Sequence, residues 1–225
     1  MIELLILLVL IYLYLKLYKK DKFTQNEKKV YNYCHIPKTA GSSIRETVQH
    51  DREDFNYYGH EWLKQCSEMD NNIAIIRDPI DRFISSFNYC KYGSDMHTEY
   101  GGPSSIDDTE LDLNEFISKL KEGDEDSWKI INSTEGRCGE GHWKSQHNFI
   151  GEKTNLVCYN KDPKVLEQNI NNVLEGSPYL ELKHENQTSK NNKTMTRDDL
   201  TDESIEWIKN HFSKDLSLWK QTCDN

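Results

Sequence analysis

"HIPKTAGSSI", His35 to Ile44, sets a proline, a lysine, a glycine and three hydroxyl side chains between two patterned segments. Before it, "VYNYCHI" (Val30 to Ile36) is rich in aromatic and β-branched residues and reads as a strand. After it, the apolar spacing from about Ser42 to His50 reads as a helix. The stretch is therefore a strand-to-helix turn. A helix N-terminus carries unpaired backbone N–H groups and about half a positive charge, which suits it to phosphate. Gly41 allows close backbone approach to an anion. Thr39, Ser42 and Ser43 supply hydroxyl donors, Lys38 a full cation and Ala40 a further amide. The triphosphatase loop places its lysine after the second glycine. Here Lys38 precedes Gly41 by three positions, which argues against a kinase or ATPase.

A second element repeats the design. "NIAIIR" (Asn72 to Arg77) is a short apolar run of the kind buried in a parallel sheet. Asp78-Pro79 then opens a helix, with Asp as N-cap and Pro at its first position. Ile80, Phe83, Ile84 and Phe87 give that helix one apolar face. Arg77 ends the strand, and Arg82 and Ser85 share a helix face. Arg77 and Ser85 are thus placed for a second phosphate at the carboxyl end of a sheet. Further along, Leu111 to Leu120 reads as a helix, "TNLVCY" (Thr154 to Tyr159) as a third strand and Pro163 to Leu174 as a helix. Thr201 caps a last helix predicted to bury Ile205, Ile208, Phe212, Leu216 and Trp219. Strands alternating with helices predict a parallel α/β sheet.

The two segments "PKTAGSS" and "RDPIDRFISSF", about 40 residues apart, together resemble the membrane-anchored carbohydrate sulfotransferases. The resemblance implies a P-loop-NTPase-like three-layer sandwich with a central parallel sheet, preceded by a membrane helix. It implies 3′-phosphoadenosine 5′-phosphosulfate (PAPS) as donor and no metal. The first loop (Lys38, Thr39, Ala40, Gly41, Ser42, Ser43) would hold the 5′-phosphosulfate, and Arg77 and Ser85 the 3′-phosphate. "FNYYGHEW" resembles the Gly-His segment of the heparan 2-O-sulfotransferase branch, which makes His60 the expected catalytic base, with Glu61 as substitute. Neutral imidazole suits removal of a hydroxyl proton near pH 7. Lys38 would also stabilise charge on the departing phosphate oxygens. His35 is expected to be structural. "HWKSQ" resembles an acceptor-site element of the family, and Lys190 and Lys193 lie in a run resembling a loop near the nucleotide. An alternative is an inactive module that binds PAPS or its desulfated product, 3′,5′-adenosine bisphosphate (PAP). Retention of His60 and Lys38 argues against it.

The 225 residues divide into an anchor (1–20), a stalk (21–29) and one domain (30–225). "MIELLILLVLIYLYLKLYKK" is uncharged from Leu4 to Leu15. As a helix, Ile2 to Tyr18 would be ~25 Å long, slightly short of a ~30 Å hydrocarbon core. Lys19, Lys20 and Lys22 replace the small-residue site of a cleaved signal peptide, so an uncleaved anchor is expected. Those lysines favour a cytosolic domain. The family resemblance and the sequons at Asn132, Asn186 and Asn192 favour the Golgi lumen, and lumenal is the expectation here.

A net charge of −10 speaks against a nucleic-acid partner. Its acid excess lies between Asp95 and Glu140, so a neutral or lightly charged glycan, or another hydroxyl acceptor, is expected. The six cysteines are too few and too scattered for a disulfide framework. One or two bridges are possible in an oxidising compartment, Cys138 with Cys158 first. Cys138, His142, His147 and Cys158 match no zinc spacing.

Overall fold

A computed structural model describes residues 11–14, 29–48, 52–59, 63–93, 106, 111–133, 138–139, 141–175, 177–183 and 194–224. Four short strands form one all-parallel sheet: β1 (Tyr31–Cys34), β2 (Phe55–Tyr58), β3 (Asn72–Ile76) and β4 (Asn155–Cys158), in the order β2-β1-β3-β4. Tyr31 to Cys34 pair with Phe55 to Tyr58, and Ile73 to Ile76 with Asn155 to Cys158. The expected strands β1, β3 and β4 are all present. β2 falls in a stretch read only for its Gly-His motif.

Alternation along these strands builds two cores. Tyr31, Tyr33, Ile73, Ile75 and Val157 face one side, packing on Ile44 and Val48 of α1 (Gly41–Val48) and Leu166 and Ile170 of α6 (Pro163–Asn171). Cys34, Ala74 and Ile76 face the other, against Cys66 of α2 (Leu63–Glu68) and Leu218 of α8 (Ser213–Cys223). Helices cover both faces, as a buried parallel sheet requires. A third cluster joins α3 (Pro79–Tyr92), α4 (Leu113–Glu122), α5 (Glu125–Asn132) and α7 (Asp202–His211). In it Ile80, Phe83, Ile84 and Phe87 are buried as their spacing predicts. Asp78 caps α3 by accepting from the amides of Ile80 and Asp81.

Three expectations change. All six cysteines are paired, as Cys34–Cys66, Cys90–Cys138 and Cys158–Cys223, so Cys138–Cys158 does not form. Cys158 ends β4 beside the last turn of α8, with 5.6 Å between the Cα atoms of Cys158 and Cys223, while Cys138 lies by α3, 4.9 Å from Cys90. Both distances suit a bridge. The last helix is two, because the chain turns at Phe212 (φ −107°, ψ 35°). Phe212 is buried as expected, but the turn buries Asp215 while Leu216 and Trp219 are only half-buried. Part of the acidic stretch has local work: Asp112 and Asp124 cap α4 and α5. Among the described residues no helix is long and apolar enough to cross a membrane. Residues 11–14 are helical and exposed, and the rest of the expected anchor lies outside the described residues.

Candidate active site

β1 runs out at Cys34, and His35 extends the ladder with its amide on the Tyr58 carbonyl at 3.1 Å. The chain then folds into a tight turn in which Lys38 (φ 67°) and Ala40 (φ 73°) are left-handed. Such conformations cost a side-chain-bearing residue about 1–2 kcal/mol each and persist only where the surroundings impose them. Here the carbonyls impose them. Ile36 O accepts from Thr39 Oγ1 (2.8 Å), Pro37 O from Arg82 Nε (2.9 Å), Lys38 O from Arg77 Nη1 (3.2 Å) and Ala40 O from the Ile44 amide (3.3 Å). With the carbonyls drawn inward, the amides of Lys38 through Ser42 have no acceptor among the described residues. Successive free amides around left-handed residues make a concave anion nest, and this one runs straight into the N-terminus of α1.

Among the described residues, three cations surround the nest. Arg77 lies over the Tyr159 ring at 4.5 Å, and its Nε is buried without a partner among the described residues. Its backbone is clamped by Gln146, with Arg77 N on Gln146 Oε1 (3.0 Å) and Gln146 Nε2 on Arg77 O (2.8 Å). Gln146 is itself held by buried Asp215, which accepts the amides of Gln146 (2.7 Å) and His147 (3.0 Å). Arg82 is fully enclosed. Besides Pro37 O it reaches Lys144 O at 2.8 Å and Gly141 O at 3.4 Å, so it builds the loop rather than facing a ligand. Lys38, half-buried, sets its ammonium 3.8 Å from the centre of the Tyr89 ring. Ser85 is half-buried on α3, while its neighbour Ser86 donates to the His142 carbonyl at 2.8 Å.

The electrostatics ask for an anion. Burial, then the charges of Arg77 and Arg82, bring Lys38 down to about 7. Burial brings Arg82 to about 10 against the pull of Asp215, and Arg77 adds to the fall. Burial also lowers Arg77, opposed by Tyr159, Asp81 and Asp78. A dianion among these groups would remove a repulsion that the folded chain otherwise carries.

The structure brings several of the expected site residues together. Lys38, Thr39, Ala40, Gly41, Ser42, Ser43 and Arg77 share one turn and its rim. Thr39 is buried and its hydroxyl proton is spent on Ile36, so its hydroxyl locks the loop. Gly41 answers to His35: a Cβ at 41 would lie 1.8 Å from the His35 ring, which is fixed by a 2.6 Å bond between Nδ1 and the Tyr57 hydroxyl. His35 is thus structural, as expected. Gly59 ends the β2 segment beside β1, but His60 and Glu61 lie outside the described residues, as do Lys190 and Lys193. In "HWKSQ", His142 is buried, stacks on Tyr89 (5.0 Å, 24°) and bonds the Gly139 carbonyl through Nδ1 at 2.5 Å. Cys138 and Cys158 are in disulfides and offer no thiolate to a metal. Arg82 and Tyr89 escaped the sequence reading as parts of the site, and Gln146 entered it only as the end of "HWKSQ", read for the acceptor rather than for Arg77. Their partners are distant in the chain, and no local pattern marks them.

A family model described as "Sulfotransferase family" matches residues 21–220. No curated protein and no solved structure gave a significant match. The match spans the nest, its cations and the whole sheet, and the chain belongs to the sulfotransferase family, whose chemistry is sulfuryl transfer to an acceptor.

Proposed function

We propose that this protein moves the sulfuryl group of PAPS to a hydroxyl of a glycan. The observation that carries the reading is the nest at Lys38–Ser42, with Lys38 and Arg77 at its rim. Its residues fit the donor. Five amides and the α1 N-terminus suit a 5′-phosphosulfate. The orphaned Arg77 Nε is a buried donor that wants an acceptor, as the 3′-phosphate would supply, with Ser85 nearby in the chain. PAPS brings an activated sulfuryl group, so transfer needs charge stabilisation and a proton acceptor. Lys38 holds positive charge where the leaving phosphate gains negative charge. His60 takes the acceptor proton, by resemblance to the 2-O branch, with Glu61 as the substitute. The acid excess of the chain favours a neutral or lightly charged glycan over a polyanion.

We place the domain in the Golgi lumen, tethered by residues 1–20. Three disulfides support an oxidising compartment, because cytosolic thiols are kept reduced. In secretory-competent cells, glycosidase should then shift the mobility of the protein; no shift would favour the cytosolic side.

The deciding test incubates the protein with sulfur-labelled PAPS and a panel of glycans. Label should pass to a neutral or desulfated glycan and should be lost in Lys38→Ala and His60→Ala. PAP binding without label transfer to any glycan would leave a nucleotide-binding module. Preference for heparan sulfate that fades with salt would overturn the acceptor reading.

A further inference from the structure

Tyr89 and His142 belong to neither motif that identifies the family, yet they form a stack under the Lys38 ammonium. Lys38 has four rotatable side-chain bonds and a left-handed backbone. Its ammonium nevertheless stands over the Tyr89 face at 3.8 Å. Arg77 and Arg82 repel it, so without an attractive seat it would leave the nest. The negative face of an aromatic ring supplies that attraction without neutralising the charge, as a carboxylate would. A carboxylate in this position would also repel an incoming phosphate. The ring is in turn fixed. His142 stacks on it at 5.0 Å, and His142 is held by its Nδ1 on the Gly139 carbonyl and by Ser86 Oγ on its own carbonyl. The same turn holds Arg82 through the carbonyls of Gly141 and Lys144.

We infer that Tyr89, backed by His142, is a positioning residue that seats the Lys38 ammonium for sulfuryl transfer. The inference rests on the reading of Lys38 as the cation of the transition state. It gives the His-Trp segment a duty toward the donor side of the reaction rather than toward the acceptor. A seated lysine loses little side-chain freedom when it acts, which is how preorganisation raises a rate.

Two measurements on the full chain test this, neither needing a known acceptor: PAP affinity by calorimetry, and sulfate release from PAPS to water. Tyr89→Leu should slow sulfate release by about 3–30-fold, the range of a cation–π contact, with PAP affinity within about twofold of wild type. Tyr89→Phe, which keeps the ring, should recover most of the rate. His142→Ala should slow release in the same direction. In a Lys38→Ala background, Tyr89→Leu should add nothing, because it acts through Lys38. Should Tyr89→Leu fail to fold, judged by its circular dichroism, Tyr89→Met takes its place. Wild-type release by Tyr89→Leu, a Phe variant as slow as Leu, or rate and affinity falling together would each overturn the seat. If Lys38→Ala itself releases sulfate normally, the reading of Lys38 falls and the seat with it. A slow Lys38→Ala beside a fast Tyr89→Leu sinks the seat alone.

Discussion

Lys38 carries the most specific consequence at the scale of a residue. Its pKa of about 7 comes from burial and from Arg77 and Arg82. A bound polyanion favours the charged form and must raise that pKa. In the protein alone the charged fraction falls as pH rises through about 7, so kcat/KM for the donor should decline on the basic side. PAP binding at pH 8 should draw close to one proton from solution. Calorimetry in buffers of different ionisation enthalpy reads this directly, and Lys38→Arg, charged throughout, should abolish the uptake. Identical heats in all buffers at pH 8 would mean that Lys38 does not titrate with the ligand. The loop sequence announced a lysine beside the free amides of a helix N-terminus. It did not announce that the lysine's pKa would fall to about 7, because that depends first on burial by distant segments and then on two arginines 39 and 44 positions away in the chain.

At the scale of an element, the junction of β1 and α1 depends on a ring lying where a side chain would be. Gly41→Ala drives a methyl into His35, and His35 cannot retreat while Tyr57 holds its Nδ1. Overpacking of this kind costs about 1–3 kcal/mol. Chemical denaturation should show a loss of that size, and much of it should vanish in a His35→Ala background, where the methyl has room. Additive costs in the double variant would show that the glycine is needed for something other than the ring. The strand and helix themselves were legible, since alternation and i, i+3, i+4 spacing are local. α3 shows this best, with Asp78, Pro79 and its apolar face all where the sequence placed them. The break at Phe212 was not legible, because it serves Asp215 beneath the Gln146 and His147 amides.

At the scale of the whole molecule, the disulfides tie the layers together. Cys34–Cys66 joins β1 to α2 just before the nest. Cys90–Cys138 joins the end of α3 to the segment that leads to His142. Cys158–Cys223 joins β4 to the last helix across a separation of 65 residues. Closing a loop of that length restricts the unfolded chain, and replacing Cys158 and Cys223 together with serine should cost about 2–5 kcal/mol. Thermal unfolding with and without reductant checks it: the wild type should melt lower when reduced, and the double variant should lose less on reduction. Equal melting temperatures for wild type with and without reductant would mean that the bridges do not form in solution.

The sequence alone was enough for the parallel α/β class, for the tight turn after β1 and the capped start of α3, and for the sulfotransferase family. Each rests on residues close together in the chain, so short-range spacing carries it. Only the tertiary structure decided which cysteines meet, that Arg82 is buried beneath Pro37 and the 141–144 turn, that Gly41 yields to His35, and that Tyr89 receives the Lys38 ammonium. Arg82 reaches its carbonyl partners across 45, 59 and 62 residues, and Ser86 reaches His142 across 56. Contacts of that range are chosen by packing and by the need of each buried polar group for a partner, and no local pattern records them.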